Sequence, residues 1–404
     1  MSARSPVLIS SALSVGLILG QLGIMAVPAL SVELAGLWQL DASQLGWLGG
    51  IYFAGYSLAL PFLAGAANRM DGRIVYAASA LISAVASIGI ALFADGFWWL
   101  LILRFVSGIG FAGMHIVGMK LLADRLSGVA QARAGAVYTT AFAIGSGCSF
   151  LAAGLLARHF GWDAAFFAAG LGALLSLPVL SLIGPPLAEN AVRSTRLFPD
   201  FLPALRDPEI RRYILAYGGN IWEVFAVRVW FVPLLAFSAA FNDETRVVWD
   251  PTIIAGLSVA IAVPMNLVIA ELGIRFGRRA VIFTVSLASI VVCGLLGWQA
   301  SGPYLIVLSL LLLHGITSFG DVGTIAGGIM AAAPAHTRAA ALTLFGLIGF
   351  GFGFLGSLAV GFVIDLAGGR NDPDAWLWAF AVMAFGSVVS GAAMLRKPAR
   401  DPEG

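Results

Sequence analysis

Long apolar runs alternate with short polar breaks from one end of the chain to the other. The runs fall at 7–30, 45–66, 74–93, 97–123, 131–157, 163–184, 213–241, 251–274, 280–300, 304–333, 338–365 and 375–395. Each has the length of a helix that crosses a bilayer, which takes about 20 apolar residues. The breaks carry turn chemistry, as in Ala94-Asp95-Gly96, Ser301-Gly302-Pro303 and Gly368-Gly369-Arg370-Asn371-Asp372-Pro373. The pattern predicts an all-α integral membrane protein of twelve transmembrane helices, six before and six after a polar linker at 185–212. That linker holds Arg193, Arg196, Arg206, Arg211 and Arg212 and reads as exposed.

The two sets of six are related. A basic turn, Gly65-Ala66-Ala67-Asn68-Arg69-Met70-Asp71-Gly72-Arg73, separates the second and third runs, and Gly273-Ile274-Arg275-Phe276-Gly277-Arg278-Arg279 separates the eighth and ninth. Gly72-Arg73 precedes Gly277-Arg278 by 205 positions; the same offset relates Val27-Pro28 to Val232-Pro233 and Arg133 to Arg338. A period that long is not a solenoid. It suits the duplicated halves of secondary transporters, here expected at 1–184 and 213–404 on either side of a cytoplasmic linker.

Composition agrees with this reading and charge orients it. The 404 residues are 60% hydrophobic and 11% charged, with a mean hydropathy of +0.94, whereas a soluble domain carries roughly 25% charged residues. With a cytoplasmic amino terminus, inner segments hold 18 of the 23 lysines and arginines. Three more (Arg158, Arg246, Arg370) fall in outer loops, and two (Arg104, Arg228) fall within spans. Basic residues accumulate on cytoplasmic loops, so both termini are expected in the cytoplasm and the chain in the cell's inner (plasma) membrane. The first run is too long for the apolar core of a cleaved signal, so it is expected to be the first span, with no soluble domain before it or after the last. Cys148 and Cys293 sit inside apolar runs and are expected to be small packing residues. The 49 glycines cluster in spans, notably Gly346, Gly349, Gly351, Gly353, Gly356 and Gly361 of the eleventh, where small residues let helices approach closely.

Three stretches carry a family likeness. Asn68-Arg69-Met70-Asp71-Gly72-Arg73 resembles the Gly-x-x-x-Asp-Arg-x-Gly-Arg-Arg loop of the major facilitator superfamily, with one extra residue and with Asn68 at the usual aspartate; Asp71 is the nearby acid. Arg104-Phe105-Val106-Ser107-Gly108-Ile109-Gly110 is similar to that family's Arg-x-x-Gln-Gly-x-Gly, and Gly161-Trp162-Asp163-Ala164-Ala165-Phe166 to its Gly-Trp-Arg-x-x-Phe. Gly145-Ser146-Gly147-Cys148 lacks the Gly-Pro pair of drug/proton antiporters. The resemblance covers essentially the whole chain. It implies the family's fold of two six-helix halves and a gating role for Asn68, Arg69, Asp71, Gly72 and Arg73, which their counterparts Arg275, Gly277 and Arg278 would share.

Ionisable groups inside spans are costly and mark functional positions. Arg104 and His115 are eleven residues apart, so at about 100° per residue they share a helix face, with Gly108 and Phe111 between them. In the tenth run His314, Thr317, Ser318, Asp321 and Thr324 fall at helical spacing, one continuous polar face. The seventh run holds Asn220, Trp222, Glu223, Arg228 and Trp230. Arg228 corresponds to Gly23 at the repeat offset, so its charge is private to the second half. Asp321 and Glu223 are the expected proton-coupling groups. The expected substrate contacts are Arg104, His115, Arg228, Asn220 and His314, with Gln21, Tyr52, Tyr56, Tyr138 and Asn266 completing a site. For each, a bracing or packing role is the competing reading, as when Arg104 braces backbone carbonyls. His159 and His336 lie at span ends and are expected to be solvated.

The chain therefore reads as a secondary active transporter that moves a small anionic or zwitterionic solute by alternating access, coupled to protons. Its expected partners are that solute, protons and membrane lipid, and it is expected to be a monomer. Proton-driven efflux of amphipathic compounds, favoured by 11 tryptophans and 27 phenylalanines, is the alternative. A non-transporting receptor and an intramembrane enzyme are the readings from other classes. No phosphate-binding loop, zinc-ligand spacing or nucleophile elbow is present, and no cofactor, metal or nucleic acid is expected.

Overall fold

The computed structural model describes residues 5–185, 200–243, 250–334 and 336–395. Arg4, Arg193, Arg196, Arg246, Arg396, Lys397 and Arg400, all counted in the charge argument, lie outside the described residues, as does 186–199 of the expected linker. The described residues form helices and no strand. In the first half these are α1 (Pro6–Gly20), α2 (Ala26–Trp38), α3 (Ala42–Arg69), α4 (Gly72–Phe93), α5 (Phe97–Ala123), α6 (Gly128–Phe160), α7 (Trp162–Leu175) and α8 (Val179–Leu182). They continue as α9 (Leu202–Arg206), α10 (Pro208–Phe241), α11 (Pro251–Phe276), α12 (Arg278–Trp298), α13 (Tyr304–Gly320), α14 (Val322–Ala332), α15 (Arg338–Leu366) and α16 (Pro373–Leu395).

Among the described residues, eleven helical segments are long and apolar enough to cross a membrane. The first run, expected as one helix over 7–30, is instead the two shorter apolar helices α1 and α2, parted at residues 21–25. The tenth run is parted at Asp321, so the expected continuous polar face is divided between α13 and α14. Pro178 accounts for the division of the sixth run, because it has no amide hydrogen to continue the helix. Span seven begins at Pro208, inside the expected linker: Asp207 accepts hydrogen bonds from the Glu209 and Ile210 amides, and Pro208 takes the first helical position. Arg211 and Arg212 follow at once and hide that start in the polarity pattern.

The chain divides into two compact units, Met1–Leu34 with Ile51–Phe198, and Ala35–Gly50 with Pro199–Gly404. In the first unit α4 packs on α5 and α7, and α1 on α6. The backbones of α3 and α5 touch, with no room for a Cβ at Gly55 or Gly108. In the second unit α10 packs on α15 and α16, and α12 on α16. Gly349 and Gly353 of α15 receive Tyr217 and Phe225 of α10, which explains part of the glycine content of that span. The second unit also takes in the first turns of α3. There the Asp365 carboxylate accepts from the Ala42 amide (3.0 Å), the Ser43 amide (2.7 Å) and Ser43 Oγ (2.5 Å), and Arg370 donates to the Leu40 carbonyl at 3.0 Å.

Candidate functional site

Breaking a helix inside a membrane frees carbonyls that only protein groups can satisfy. At the break between α13 and α14, two asparagines from neighbouring helices do so. Asn220 Nδ2 donates to the Ser318 carbonyl at 2.6 Å and to Asp321 Oδ1 at 2.8 Å; Asn266 Nδ2 donates to the Phe319 carbonyl at 2.9 Å. Asp321 thus sits in the break itself, 2% exposed, held by Asn220.

One turn further along α10, Glu223 is 1% exposed and surrounded by donors. His314 Nε2 lies 2.8 Å from Oε1, Ser289 Oγ donates to the same oxygen, and Cys293 Sγ lies 3.7 Å from it. Oε2 accepts from the Ser387 amide at 3.1 Å. With its proton on Nε2, His314 accepts from Ser318 Oγ through Nδ1 at 3.4 Å. The polar groups of α10, α12 and α13 therefore form one chain from Ser289 through Glu223 and His314 to Ser318, and Asn220 links Ser318 to Asp321. Beside it Arg228, half-buried, lies over the Phe319 ring at 5.0 Å and the Phe225 ring at 5.9 Å. A cavity of about 30 Å³, room for about one water, is lined by Arg228, His314, Ser318 and Phe319 among others. Glu223 and Arg228 do not pair with each other; the acid's partner is His314.

The first unit repeats the broken-helix device with a cation. Arg104 is 1% exposed, donates from Nη1 to the Gly23 carbonyl at 2.5 Å and from Nη2 to the Ile24 carbonyl at 3.1 Å, and lies 4.5 Å from the Tyr52 ring centroid. Gln21 Nε2 donates to the Ala141 and Phe142 carbonyls, and Ser149 Oγ to the Leu22 carbonyl at 2.6 Å. His115 is half-buried in an aromatic stack, with the rings of Phe142 at 4.7 Å, Phe111 at 5.8 Å and Tyr138 at 6.1 Å nearly parallel to it. Tyr56 Oη lies 2.8 Å from His115 Nδ1, and Tyr138 donates to the His115 carbonyl at 3.0 Å. Arg104 and His115 share α5, yet Arg104 meets backbone and Tyr52 while His115 meets rings.

Of the expected gating residues, Asn68 and Arg69 are exposed at the end of α3. Asp71 caps α4 by accepting from the Arg73 amide at 2.9 Å, and Arg73 Nη2 donates back to it at 2.8 Å. Hydrogen bonds from Arg73 hold the Asp71 carboxyl below the usual carboxylate range. In the corresponding turn Arg275 pairs with Glu271 at 2.7 Å and Gly277 adopts φ +90, a left-handed conformation that favours glycine. His159 and His336 are exposed.

Sequence reasoning missed Ser289, Cys293, Ser387, Phe142 and Phe319. Each is a small or aromatic residue in an apolar run, and nothing in the local pattern distinguishes it. Cys293, expected to be packing alone, faces the Glu223 carboxylate. The ligand atoms of Glu223, Cys293 and His314 lie within 4.8 Å of one another, the one such grouping among the described residues, but the hydrogen bonds above already occupy the carboxylate.

The family model described as "Major Facilitator Superfamily" matches residues 12–242. A "Niacin transporter NiaP" of Acinetobacter baylyi is 31% identical over 137 residues, which is 34% of this chain and only 31% of that protein's length. A "Putative metabolite transport protein" of Haemophilus influenzae is 24% identical over 315 residues, 75% of each chain. Among solved structures, a bacterial homologue of the human lysosomal transporter Spinster, inward-facing and occupied, superimposes with TM-score 0.74 at 16% identity, covering 96% of this chain and 94% of that one. The nucleoside transporter NupG does so with TM-score 0.74 at 16% identity, covering 96% and 98%. At that identity the two structures show the fold.

Proposed function

The chain belongs to the Major Facilitator Superfamily, a multi-pass membrane protein of a transporter rather than an enzyme family, and from that premise we propose that it moves a small anionic or zwitterionic solute by alternating access coupled to protons. The observation that carries this reading is the buried chain from Glu223 and His314 to Ser318, continued through Asn220 to Asp321, which ends at a helix break and runs beside a cation. Secondary transporters place substrate and ion sites at such discontinuous helices. Asp321 carries the coupling proton in this reading. A carboxyl at a break moves between protein and water when the helix halves shift, and that alternation is what coupling requires. Glu223 and His314 form the second proton-bearing pair. Arg228 attracts the solute's negative group, presenting a planar fork suited to a carboxylate.

Arg104, Asn220 and Asn266 we assign to holding the two breaks, since their donors end on freed carbonyls. The stack around His115 favours a solute with a flat ring, because aromatic faces reward parallel or offset contact. Niacin, the substrate in one relative's name, is such a ring bearing one carboxylate. Arg69, Asp71, Arg73 and Arg278 act as inner-turn gating residues, as the family likeness implies.

Reconstituted vesicles test the reading. With only a pH difference imposed, wild type accumulates a labelled aromatic monocarboxylate, and Asp321→Asn does not, while solute exchange survives in the variant. Accumulation by Asp321→Asn under the same gradient would place the proton elsewhere, with Glu223 the next position to test. Accumulation of cationic amphipaths but no acid would favour the efflux reading.

A further inference from the structure

The functional reading leaves a groove unused, at the end of the second unit that the arginine distribution assigns to the cytoplasm. It lies between the start of α10 and the end of α16, has a volume of about 410 Å³, and is lined by Pro208, Arg211, Arg212, Leu215, Val389, Ala392 and Ala393. Two of these seven are arginines and the others are apolar. Arg211 is exposed, and no ion pair among the described residues involves it. Arg212 is held by Glu209 at 2.9 Å, and Glu209 is also engaged by Arg279. One acid is thus shared by two arginines, leaving the groove positively charged. Its apolar side continues into a surface of exposed large hydrophobics, Phe385 and Val388 on α16 and Leu215 on α10, of the kind that faces acyl chains.

We propose that this groove binds an anionic phospholipid of the inner leaflet, its headgroup phosphate on Arg211 and Arg212 and an acyl chain along Leu215, Val389, Ala392 and Ala393. Arginine suits a phosphate because its planar donors grip two oxygens at once. The cytoplasmic leaflet carries the anionic lipids, and basic pockets between helices on that side recognise their headgroups. A free phosphate would satisfy the arginines but leave the apolar wall uncovered; a lipid satisfies both. The occupant also has a consequence for the rest of the unit. It would tie the first turns of α10 to α16, and α10 carries Asn220, Glu223 and Arg228.

The test uses the full chain in detergent, with bound lipid counted by native mass spectrometry and thermal stability followed in parallel, so that it does not depend on any transport assay. Wild type is expected to retain phosphatidylglycerol over phosphatidylcholine and to be stabilised by it. Arg211→Gln should weaken that retention about fivefold, the scale of one arginine at an anionic surface. Arg206→Gln removes the same charge outside the groove and should leave retention unchanged. Ala393→Trp fills the groove while keeping both arginines and should also lose the lipid. Each variant's stability in phosphatidylcholine reports whether it has folded. Equal retention of the two lipids overturns the proposal. So does equal loss in Arg206→Gln and Arg211→Gln, which would mean diffuse charge attraction, or equal stabilisation by inorganic phosphate, which would mean an anion site without a lipid.

Discussion

Arg104 separates two roles that the sequence cannot distinguish, and its substitution has a magnitude that can be worked out. Both carbonyls it meets, Gly23 and Ile24, belong to the break in the first span, and the side chain is 1% exposed, so water cannot replace it. Arg104→Met keeps length and apolar contact but removes both donors. The Gly23 carbonyl keeps the Ala26 amide at 3.3 Å and loses one hydrogen bond to a charged group, about 1.5–3 kcal/mol, while the Ile24 carbonyl is left unpaired at about 1–3 kcal/mol. The lost contact with the Tyr52 ring, at 4.5 Å, adds as much as about 2 kcal/mol for a desolvated pair. Arg104→Lys keeps the charge but not the fork, reaches one carbonyl, and should cost about 1.5–3 kcal/mol, the worth of one hydrogen bond to a charged group. The expected order of stability without solute is wild type, then Lys, then Met, with Tyr52→Phe nearly neutral because the ring remains. Denaturation of the solute-free protein in detergent reads this order, and solute affinity is measured on the same samples. If Arg104→Lys were as stable as wild type without solute yet bound solute tenfold more weakly, the guanidinium would be a substrate group and the bracing argument would be wrong.

Other expectations follow from the same geometry. Arg228→Lys should weaken solute binding by about 1.5–3 kcal/mol through loss of the planar fork; equal affinities in equilibrium binding would exclude a two-point contact. Asp71 caps α4, and Arg73 holds its carboxyl below the usual range, so the cap contributes above the ordinary carboxylate pKa and is lost as pH falls through the lowered one. Asp71→Ala should therefore cost about 0.5–2 kcal/mol at neutral pH, toward the low end for a turn this exposed, with the difference from wild type vanishing in acid; a gap that persisted there would refute the assignment. Asp365→Ala removes the acceptor for the Ala42 and Ser43 amides. Hydrogen exchange at those two amides should quicken about fivefold, the scale of one hydrogen bond, and unchanged exchange would mean that water serves them equally well.

Much of this protein was legible along the chain. Span positions, the basic turns and the family likeness follow from two local quantities, the apolar length that a bilayer demands and the charges at its edges. The helices α3 to α6 begin and end within a few residues of the apolar runs because nothing distant competes with that demand. The breaks were not legible. Residues 21–25 and Asp321 lie in apolar stretches that read as continuous helix, and where the backbone parts Arg104, Asn220 and Asn266 arrive from elsewhere to donate to its carbonyls. Those donors stand 81, 98 and 53 residues from the groups they satisfy. The same holds for Glu223 and His314, 91 residues apart, whose charges were plain in the sequence and whose pairing was not. Hydropathy and helical spacing report which face of one helix is polar; which groups meet across helices is decided by how the backbones pack, and only the tertiary structure supplies that.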